Sequence, residues 1–454
     1  MTVEGLTINS LKKKDLLTLG FMMFSIYFGA GNLIFPPALG QAAGDHTLHA
    51  MLGFMTTGIG LPLLGITAIA LVGGEYVPLL HAKTWPRFAT VLLVILYLII
   101  GPLFAMPRTG AVSFEIGIRP FLSADNLALG QIIYTAIFFA SSYYLALNPN
   151  KIIDRVGRML TPALLIVLLI LFVQAFHAPL GAILPATGAY IDAPFAQGFQ
   201  DGYQTMDLLA SIAIGALVAN AVRMRGITDS RAVGAACLVS GLITVMLMAA
   251  VYGSLAYIGA TSTSILGQAE NGGQILSAAV GIFFGSAGNL LLAVIIGLAC
   301  LTTCCGITSS AAMFFNKLLK GRVSYERLLL FSILFSFAAS NVGLTQIIAL
   351  AIPFLVTIYP LIIVFVILSL FDRFIGWRKS IYQGAMTLTL VFSLIDGLHA
   401  AGLSSEPVHA LLVAYIPFYN IMMGWVCPAV IGALVGLAVS FFQTAPAAAK
   451  ESQV

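Results

Sequence analysis

Residues 26–37 interrupt the first long apolar run of the chain with residues that a continuous helix does not tolerate. They read Ile-Tyr-Phe-Gly-Ala-Gly-Asn-Leu-Ile-Phe-Pro-Pro. Inside a helix, glycine costs about 1 kcal/mol relative to alanine, and proline costs about 3 kcal/mol. In lipid, where no water satisfies a freed backbone group, such a break persists only beside protein or a wet cavity. The segment therefore predicts either an unwound helix at a binding site or a simple proline kink inside a helix bundle.

The composition predicts an integral membrane protein. Of the 454 residues, 60% are apolar and only 8% are charged, whereas soluble domains carry about 25% charged residues. Long uncharged runs recur along the whole length, and the run 347–371 is by itself long enough to span a bilayer. No soluble domain is visible in the sequence. We therefore expect one transmembrane domain over residues 1–449 and a short cytoplasmic tail at 450–454.

The apolar runs predict twelve membrane spans, and the basic residues between them predict the orientation. Cytoplasmic loops carry an excess of Lys and Arg. With the N-terminus inside, all but two of the 21 basic residues fall on the inner side. The exceptions, Arg108 and Arg119, lie at the outer end of the third span, so both termini are expected in the cytoplasm. The predicted spans are 16–39, 50–72, 88–116, 127–147, 159–178, 203–222, 232–258, 276–314, 328–342, 345–371, 381–401 and 410–440.

The break that runs from Gly29 to Pro37 offers backbone groups of both polarities. A half-helix that begins near Ala30–Asn32 would present free N–H groups and the positive end of its dipole, which suit a carboxylate. A half-helix that ends near Ser25–Phe28 would present free carbonyls, which suit a cation or an ammonium group. The break thus favours a site for a zwitterion and a partner cation.

Asp207, just before the apolar run Leu208–Asn220, is the one acid that we do not assign to a loop. The other sixteen acids, Asp396 among them, are assigned to loops. A charged Asp in the middle of a membrane helix costs roughly 2.5–3.5 kcal/mol on insertion scales, so a function is expected. Ion relay, gating and substrate contact all remain open. The alternative is that Asp207 caps a later-starting span from the outer interface.

Two more groups of polar residues lie in the predicted spans. Thr302 and Thr303 could ligate a hard cation, although hydroxyls in membrane helices also bond routinely to the backbone or to neighbouring helices. Arg108 could form a gate with Asp207 or Glu115, or it could extend to the outer surface. The residues alone leave both alternatives open.

The sequence lacks the motifs of enzymes and of ATP-driven pumps. Phosphate-binding loops, nucleophile elbows and His-Glu-x-x-His are all missing. The five cysteines lie in apolar runs, which favours packing over a disulfide framework or a metal site. We expect neither an enzyme nor a cofactor.

Four blocks of the sequence resemble one known family. Phe28–Pro37 is similar to the signature of the bacterial branched-chain amino acid:cation symporter family, and the blocks at 101–109, 202–207 and 299–303 resemble other parts of it. The resemblance covers nearly the whole chain. It implies a multi-pass carrier of the bacterial cytoplasmic membrane that imports leucine, isoleucine and valine with Na⁺ or H⁺.

We expect a second helix break at the start of the sixth span, at Asp201-Gly202-Tyr203-Gln204-Thr205-Met206-Asp207. Breaks in the first and sixth spans are what an inverted repeat of five plus five helices predicts. The family belongs to the same broad superfamily as the LeuT-type transporters, which implies an all-α, LeuT-like fold. Discontinuous helices 1 and 6 would then belong to repeats over 16–178 and 203–371, with two additional helices over 381–440.

The resemblance also implies roles for individual residues. The substrate carboxylate would meet amides near Ala30 and Gly31, and the ammonium would meet carbonyls of the first and sixth helices. The implied substrate-binding residues are Gly29, Ala30, Gly31, Asn32, Tyr203, Thr205, Met206 and Asp207. The implied Na⁺ ligands are Ser25, Phe28, Ala299, Thr302 and Thr303.

Together these features predict a Na⁺-coupled importer of branched aliphatic amino acids that works by alternating access. Leucine, isoleucine and valine should compete, because one methylene in an apolar pocket is worth only roughly 1–3 kcal/mol. The alternatives are H⁺ coupling through Asp207, a symporter for another neutral solute on the same fold, and, more distantly, a channel. Besides the bilayer, we expect neither a nucleic acid nor an obligate protein partner.

Overall fold

The structure of the chain, a computed structural model, describes residues 12–71, 76–147, 149–227, 229–376, 378–404, 406–421 and 423–442. These residues form helices joined by turns and short loops, and no strand occurs among them. The tail predicted at 450–454 lies outside the described residues.

The first half of the chain runs from α1 to α9, with short 3₁₀ or π-type turns between several of the helices. Their bounds are α1 (Lys13–Tyr27), α2 (Ala30–Ala43), α3 (Thr47–Met55), α4 (Leu61–Leu71), α5 (Tyr76–Lys83), α6 (Pro86–Leu98), α7 (Ala105–Gly117), α8 (Leu127–Ala146) and α9 (Pro149–His177).

The second half runs from α10 to α18. Their bounds are α10 (Pro194–Asp201), α11 (Asp207–Arg223), α12 (Ser230–Leu266), α13 (Gly272–Leu318), α14 (Tyr325–Ser340), α15 (Leu344–Ile375), α16 (Lys379–Ala400), α17 (Glu406–Tyr415) and α18 (Val426–Phe442).

Within the described part of the chain, seven helical segments are long and apolar enough to cross a membrane. The chain is therefore a multi-pass membrane protein, while the count of twelve spans stays a prediction. The seven segments are Ala30–Leu71, Pro86–Phe121, Ala124–Ala146, Ser230–Leu266, Gly272–Leu318, Leu344–Asp372 and Lys379–Ala400.

The third predicted span is interrupted in its middle. Gly101 has a non-helical backbone (φ −106°, ψ −126°) within a wide turn that separates α6 from α7. Pro102 follows it and has no backbone N–H to donate, so the helical ladder is broken at this point. The interruption starts α7 afresh at Ala105, one helical turn before Arg108.

The eighth and last predicted spans are also divided. Gly285 has a positive φ of 65° inside α13, which separates a short first arm of that helix from its long continuation. In the last span, α17 ends at Tyr415 and α18 begins only at Val426. Each of these two long spans is thus made of two helical arms and not of one continuous helix.

Two glycines bring α2 and α12 into direct backbone contact. A Cβ placed on Gly40 of α2 would lie 1.9 Å from the carbonyl oxygen of Ala256, and one on Gly259 of α12 would lie 2.0 Å from the carbonyl oxygen of Pro37. Neither position has room for a side chain. This close crossing holds α2, which begins at the first break, against the helix that carries Tyr252.

Candidate functional site

The first predicted span is broken at Phe28 and Gly29, whereas the rest of the predicted break, from Ala30 to Pro37, is helical, so the predicted extent of the break is wrong. Helix α1 ends at Tyr27, Phe28 and Gly29 are extended (φ −121°, ψ −170° at Gly29), and α2 begins at Ala30. The Gly29 amide donates to Oδ1 of Asn32 at 3.0 Å, which caps the new helix. The amides of a first helical turn have no partner within their own helix, and they carry the positive end of its dipole. The start of α2, including Gly31, can therefore bind an anion.

The sixth predicted span, between α10 and α11, is broken as well. Residues Gly202–Thr205 form a 3₁₀ turn after α10, Met206 adopts a left-handed conformation (φ 61°), and α11 begins at Asp207. A left-handed non-glycine residue costs of order 1–3 kcal/mol, and such strain is concentrated at functional sites. The Thr205 hydroxyl donates to the carbonyl of Gly202 at 2.9 Å, which supports the turn.

The two breaks meet at one buried contact. Asn32 of α2 donates from Nδ2 to Oδ2 of Asp207 at 2.7 Å and also donates to the hydroxyl of Tyr252. The Tyr252 hydroxyl lies 3.5 Å from the same carboxylate oxygen. Asp207 is only 5% exposed. The alternative in which Asp207 caps its helix from the outer interface is therefore wrong, because the carboxylate lies inside the protein against the first break.

Arg108 lies at the same junction, and its predicted place at the outer end of the third span is wrong. It is 5% exposed, and its Nη1 donates to the carbonyl of Gln204 at 2.6 Å. Its guanidinium lies over the ring of Phe35, with 5.2 Å from Cζ to the ring centroid. A Cβ placed on Gly31 would be 2.9 Å from Arg108 Nη2. Because α7 restarts after the break at Gly101, Arg108 faces both breaks instead of the outer surface.

Glu115 does not pair with Arg108. Its Oε1 accepts from Arg119 at 2.6 Å, from Gln274 at 2.8 Å and from Asn271 at 3.2 Å. These contacts tie the end of α7 to the start of α13, away from the two breaks. Glu115 is also buried within α7 and is not in a loop. Its proposed gate with Arg108 is absent from this conformation.

The predicted Na⁺ ligands lie on α13 and at the end of α1, and Thr303 of α13 reaches the first break. A Cβ placed on Gly29 would lie 3.5 Å from Cγ2 and 3.9 Å from Oγ1 of Thr303. The Thr302 hydroxyl instead donates to the carbonyl of Ala299 at 2.9 Å, within its own helix.

The other two predicted ligands belong to the end of α1. Ser25 lies in its last turn, and Phe28 follows it as the cap, with its amide donating to Phe24 O at 2.8 Å. Whether these groups and the threonines bind a cation stays a prediction.

Several residues at the junction carry no signal in the sequence. Tyr252 lies on α12 in an ordinary apolar run, and only helix rotation brings its hydroxyl to Asp207 and Asn32. The sequence predicts Tyr203 in the site. It does not predict Tyr359 of α15, whose ring covers that of Tyr203. The two rings are stacked with centroids 4.3 Å apart.

A second aspartate was assigned to a loop in error. Asp396 lies inside α16 and is 5% exposed. It is followed by Gly397, where a Cβ would lie only 1.9 Å from the hydroxyl of Thr357 on α15. The predicted span 381–401 includes Asp396, so the assignment of this acid to a loop is wrong. Asp207 is therefore distinguished by its contact with the first break and not by burial alone.

Comparison with known proteins identifies the family. The sequence model described as "Branched-chain amino acid transport protein" matches residues 12–443. The branched-chain amino acid permease BraB of Bacillus subtilis is 46% identical over 434 residues, which are 96% of this chain and 97% of the relative. The branched-chain amino acid transport system 2 carrier protein of Pseudomonas aeruginosa is 45% identical over 92% of this chain and 94% of its own length. The Escherichia coli permease BrnQ is 39% identical over 93% and 95%.

Two solved structures share the fold. Mhp1, a nucleobase-cation-symport-1 family transporter in a closed conformation, is similar with a TM-score of 0.57 and 14% identity, over 94% of this chain and 92% of Mhp1. MhsT in complex with L-phenylalanine gives a TM-score of 0.52 and 16% identity, over 93% and 98%. Both likenesses show the LeuT-type fold alone. With the family match over nearly its whole length, the chain belongs to the branched-chain amino acid transport protein family, and it is a transporter and not an enzyme.

Proposed function

We propose that this protein imports leucine, isoleucine and valine by coupling their movement to Na⁺ in an alternating-access cycle. The observation that carries the proposal is the buried hydrogen bond of 2.7 Å between Asn32 and Asp207, which joins the two helix breaks. Broken helices at mid-membrane place helix ends where they can bind both charges of an amino acid. The relatives named for branched-chain amino acids support the substrate class.

Sodium is favoured as the coupling ion by the residues beside the first break. Thr303 reaches Gly29 from α13. This place is next to the end of α1 at Phe28, where the last carbonyls of the helix have no helical partners. Hydroxyl and carbonyl oxygens suit a hard cation. A threonine hydroxyl does not titrate near neutral pH, so this group of ligands would serve Na⁺ and not H⁺.

Proton coupling is the second candidate, and one observation favours it. Asp207 is a buried residue whose carboxylate contacts Asn32 beside the first break. It is also the first residue of α11, directly after the second break. A group at that junction could take up and release a proton as the breaks rearrange. We rank Na⁺ before H⁺ because Thr303 lies beside Gly29, where a cation ligand is expected, and this observation does not depend on the role of Asp207.

We infer the orientation from the basic residues of the loops, with both termini in the cytoplasm and the whole chain acting as one transmembrane unit. Antibody or cysteine labelling of short tags at the two ends would test it. Labelling of either tag from outside intact cells would contradict this orientation.

Counterflow in proteoliposomes tests the function. Vesicles preloaded with unlabelled leucine, isoleucine or valine should accumulate labelled leucine, whereas preloaded alanine or lysine should not support accumulation. Replacing Na⁺ with choline at constant pH should abolish uptake. Uptake that is unchanged in choline would refute Na⁺ coupling, and lack of counterflow with all three amino acids would refute the substrate class.

Thr303→Ala should weaken Na⁺ activation more than leucine binding. If the lost oxygen ligand contributes about 1.4 kcal/mol to the free energy of Na⁺ binding, the Na⁺ concentration for half-maximal uptake rises about tenfold. The Michaelis constant for leucine at saturating Na⁺ should change much less. Ser310→Ala is the matched control, because Ser310 lies on the same helix and its hydroxyl donates to the carbonyl of Gly306 at 2.9 Å. Equal Na⁺ dependence of Thr303→Ala and wild type would remove Thr303 from the cation site.

A further inference from the structure

We propose that the guanidinium of Arg108 binds the α-carboxylate of the transported amino acid while Asp207 binds its ammonium group. The inference rests on the proposed function. It adds Arg108, from α7 in the third predicted span, to a site built from the breaks in the first and sixth predicted spans. Each end of the zwitterion would meet a buried side chain of opposite charge.

Arg108 has more donors than the protein uses. A guanidinium carries five N–H groups, yet among the described residues the side chain of Arg108 donates to the carbonyl of Gln204 alone, at 2.6 Å. Its Nε is fully buried and has no hydrogen-bond partner in the described part of the chain. Buried charges are normally paired and fully hydrogen-bonded because an isolated one is costly. The unused donors indicate that an acceptor belongs in this place.

In the described part of the chain, no acid forms a direct ion pair with Arg108. Among the described residues, ion pairs join Lys83 to Asp372 and Arg119 to Glu115, and none joins Arg108 to an acid. The carboxylate of Asp207 is bonded instead by neutral groups of Asn32 and Tyr252. Two opposite charges thus lie at one junction, near enough to attract each other but without a direct ion pair between them. A bound amino acid carries one charge of each sign and neutralises both.

The surroundings of each charge suit one end of an amino acid. Arg108 Nη2 approaches Gly31 in the first turn of α2, so the guanidinium and the free amides of that turn converge on the same place. A carboxylate there would accept from both, with the fork geometry that makes arginine–carboxylate contacts strong. The carboxylate of Asp207, which accepts a hydrogen bond from Asn32, would then bind the ammonium group.

A gate would behave differently from a ligand. If Arg108 only closed the pathway, its loss would change transport rates without changing which end of the substrate is recognised. A ligand for the carboxylate must distinguish leucine from leucinamide, which keeps the ammonium group and lacks the negative charge. The comparison of these two compounds therefore separates the two roles.

Calorimetric titration of the purified full-length protein with leucine and leucinamide tests the proposal. The wild type should bind leucinamide about 100-fold more weakly than leucine, as expected when a buried charged contact loses one partner. Arg108→Gln should weaken leucine about 100-fold and leucinamide less than about threefold, so that the preference disappears. Arg108→Lys should fall between, at about tenfold, because lysine keeps the charge and loses the fork.

Arg119→Gln is the matched control, since Arg119 is partly exposed and pairs with Glu115. It should keep the preference for leucine. The proposal is overturned if Arg108→Gln retains that preference, or if the wild type binds both compounds equally, a result that needs no variant to fold. Either result can occur while wild-type leucine counterflow is intact, so failure of the inference is distinct from failure of the transport function.

Discussion

Asp207→Asn should abolish concentrative uptake of leucine while leaving the protein folded. The amide can still accept the hydrogen bond from Asn32, so the junction of the two breaks keeps its shape. The negative charge that would hold an ammonium group or a coupling cation is lost. Removing one partner of a buried charge contact costs 2–5 kcal/mol, which corresponds to roughly 30-fold to several thousand-fold. Uptake of labelled leucine into proteoliposomes measures the effect.

Asp201→Asn is the control for this experiment. Asp201 ends α10, one turn before the break, and its carboxylate accepts from Tyr190 and from Gln197 Nε2. It makes the same change of charge in the same interrupted helix without touching the first break. Its uptake should stay within about tenfold of wild type, because its contacts are local to α10 and the turn before it. Near-normal uptake by Asp207→Asn would show that the buried charge is not needed.

Gly31→Ala should weaken leucine transport without unfolding the protein. The added methyl would lie 2.9 Å from Arg108 Nη2 and 3.2 Å from Cε2 of Phe35, so the guanidinium must move away from the start of α2. Overpacking of this kind costs about 1–3 kcal/mol, which corresponds to roughly a 5- to 150-fold rise in the Michaelis constant. Concentration-dependent leucine uptake gives that constant directly.

Gly253→Ala is the matched substitution. Gly253 follows Tyr252 on α12, and a Cβ there would have no atom within 4 Å. Alanine in open space in a helix is neutral or slightly stabilising. The Michaelis constant should therefore match wild type. If Gly31→Ala also matches wild type, the space beside Gly31 is not part of the binding site.

The two helix breaks could be predicted because their cause is local. Glycine, asparagine and proline in an apolar run weaken a helix, and the structure breaks at Gly29, although Asn32, Pro36 and Pro37 lie within α2. At Asp207 the signal was a charge that is costly in lipid. Such features depend on the identity of a residue and not on its neighbours in space.

The rest of the site could not be predicted because it depends on helix rotation and depth. Arg108 is equally plausible as a surface residue until α7 is known to restart after Gly101. Tyr252 and Tyr359 resemble any other aromatic residue of a membrane helix, and only packing turns them towards the junction. Asp396 was misplaced for the same reason, since its side chain faces the interior near the end of a long helix.

The most direct measurement is an experimental structure of the protein with leucine and Na⁺ bound. Our account predicts leucine between the start of α2 and the turn before α11, with its backbone atoms within about 2.7–3.2 Å of polar groups from both breaks. A first helix that continues unbroken through Phe28 and Gly29, or leucine bound outside the junction of Asn32 and Asp207, would contradict it.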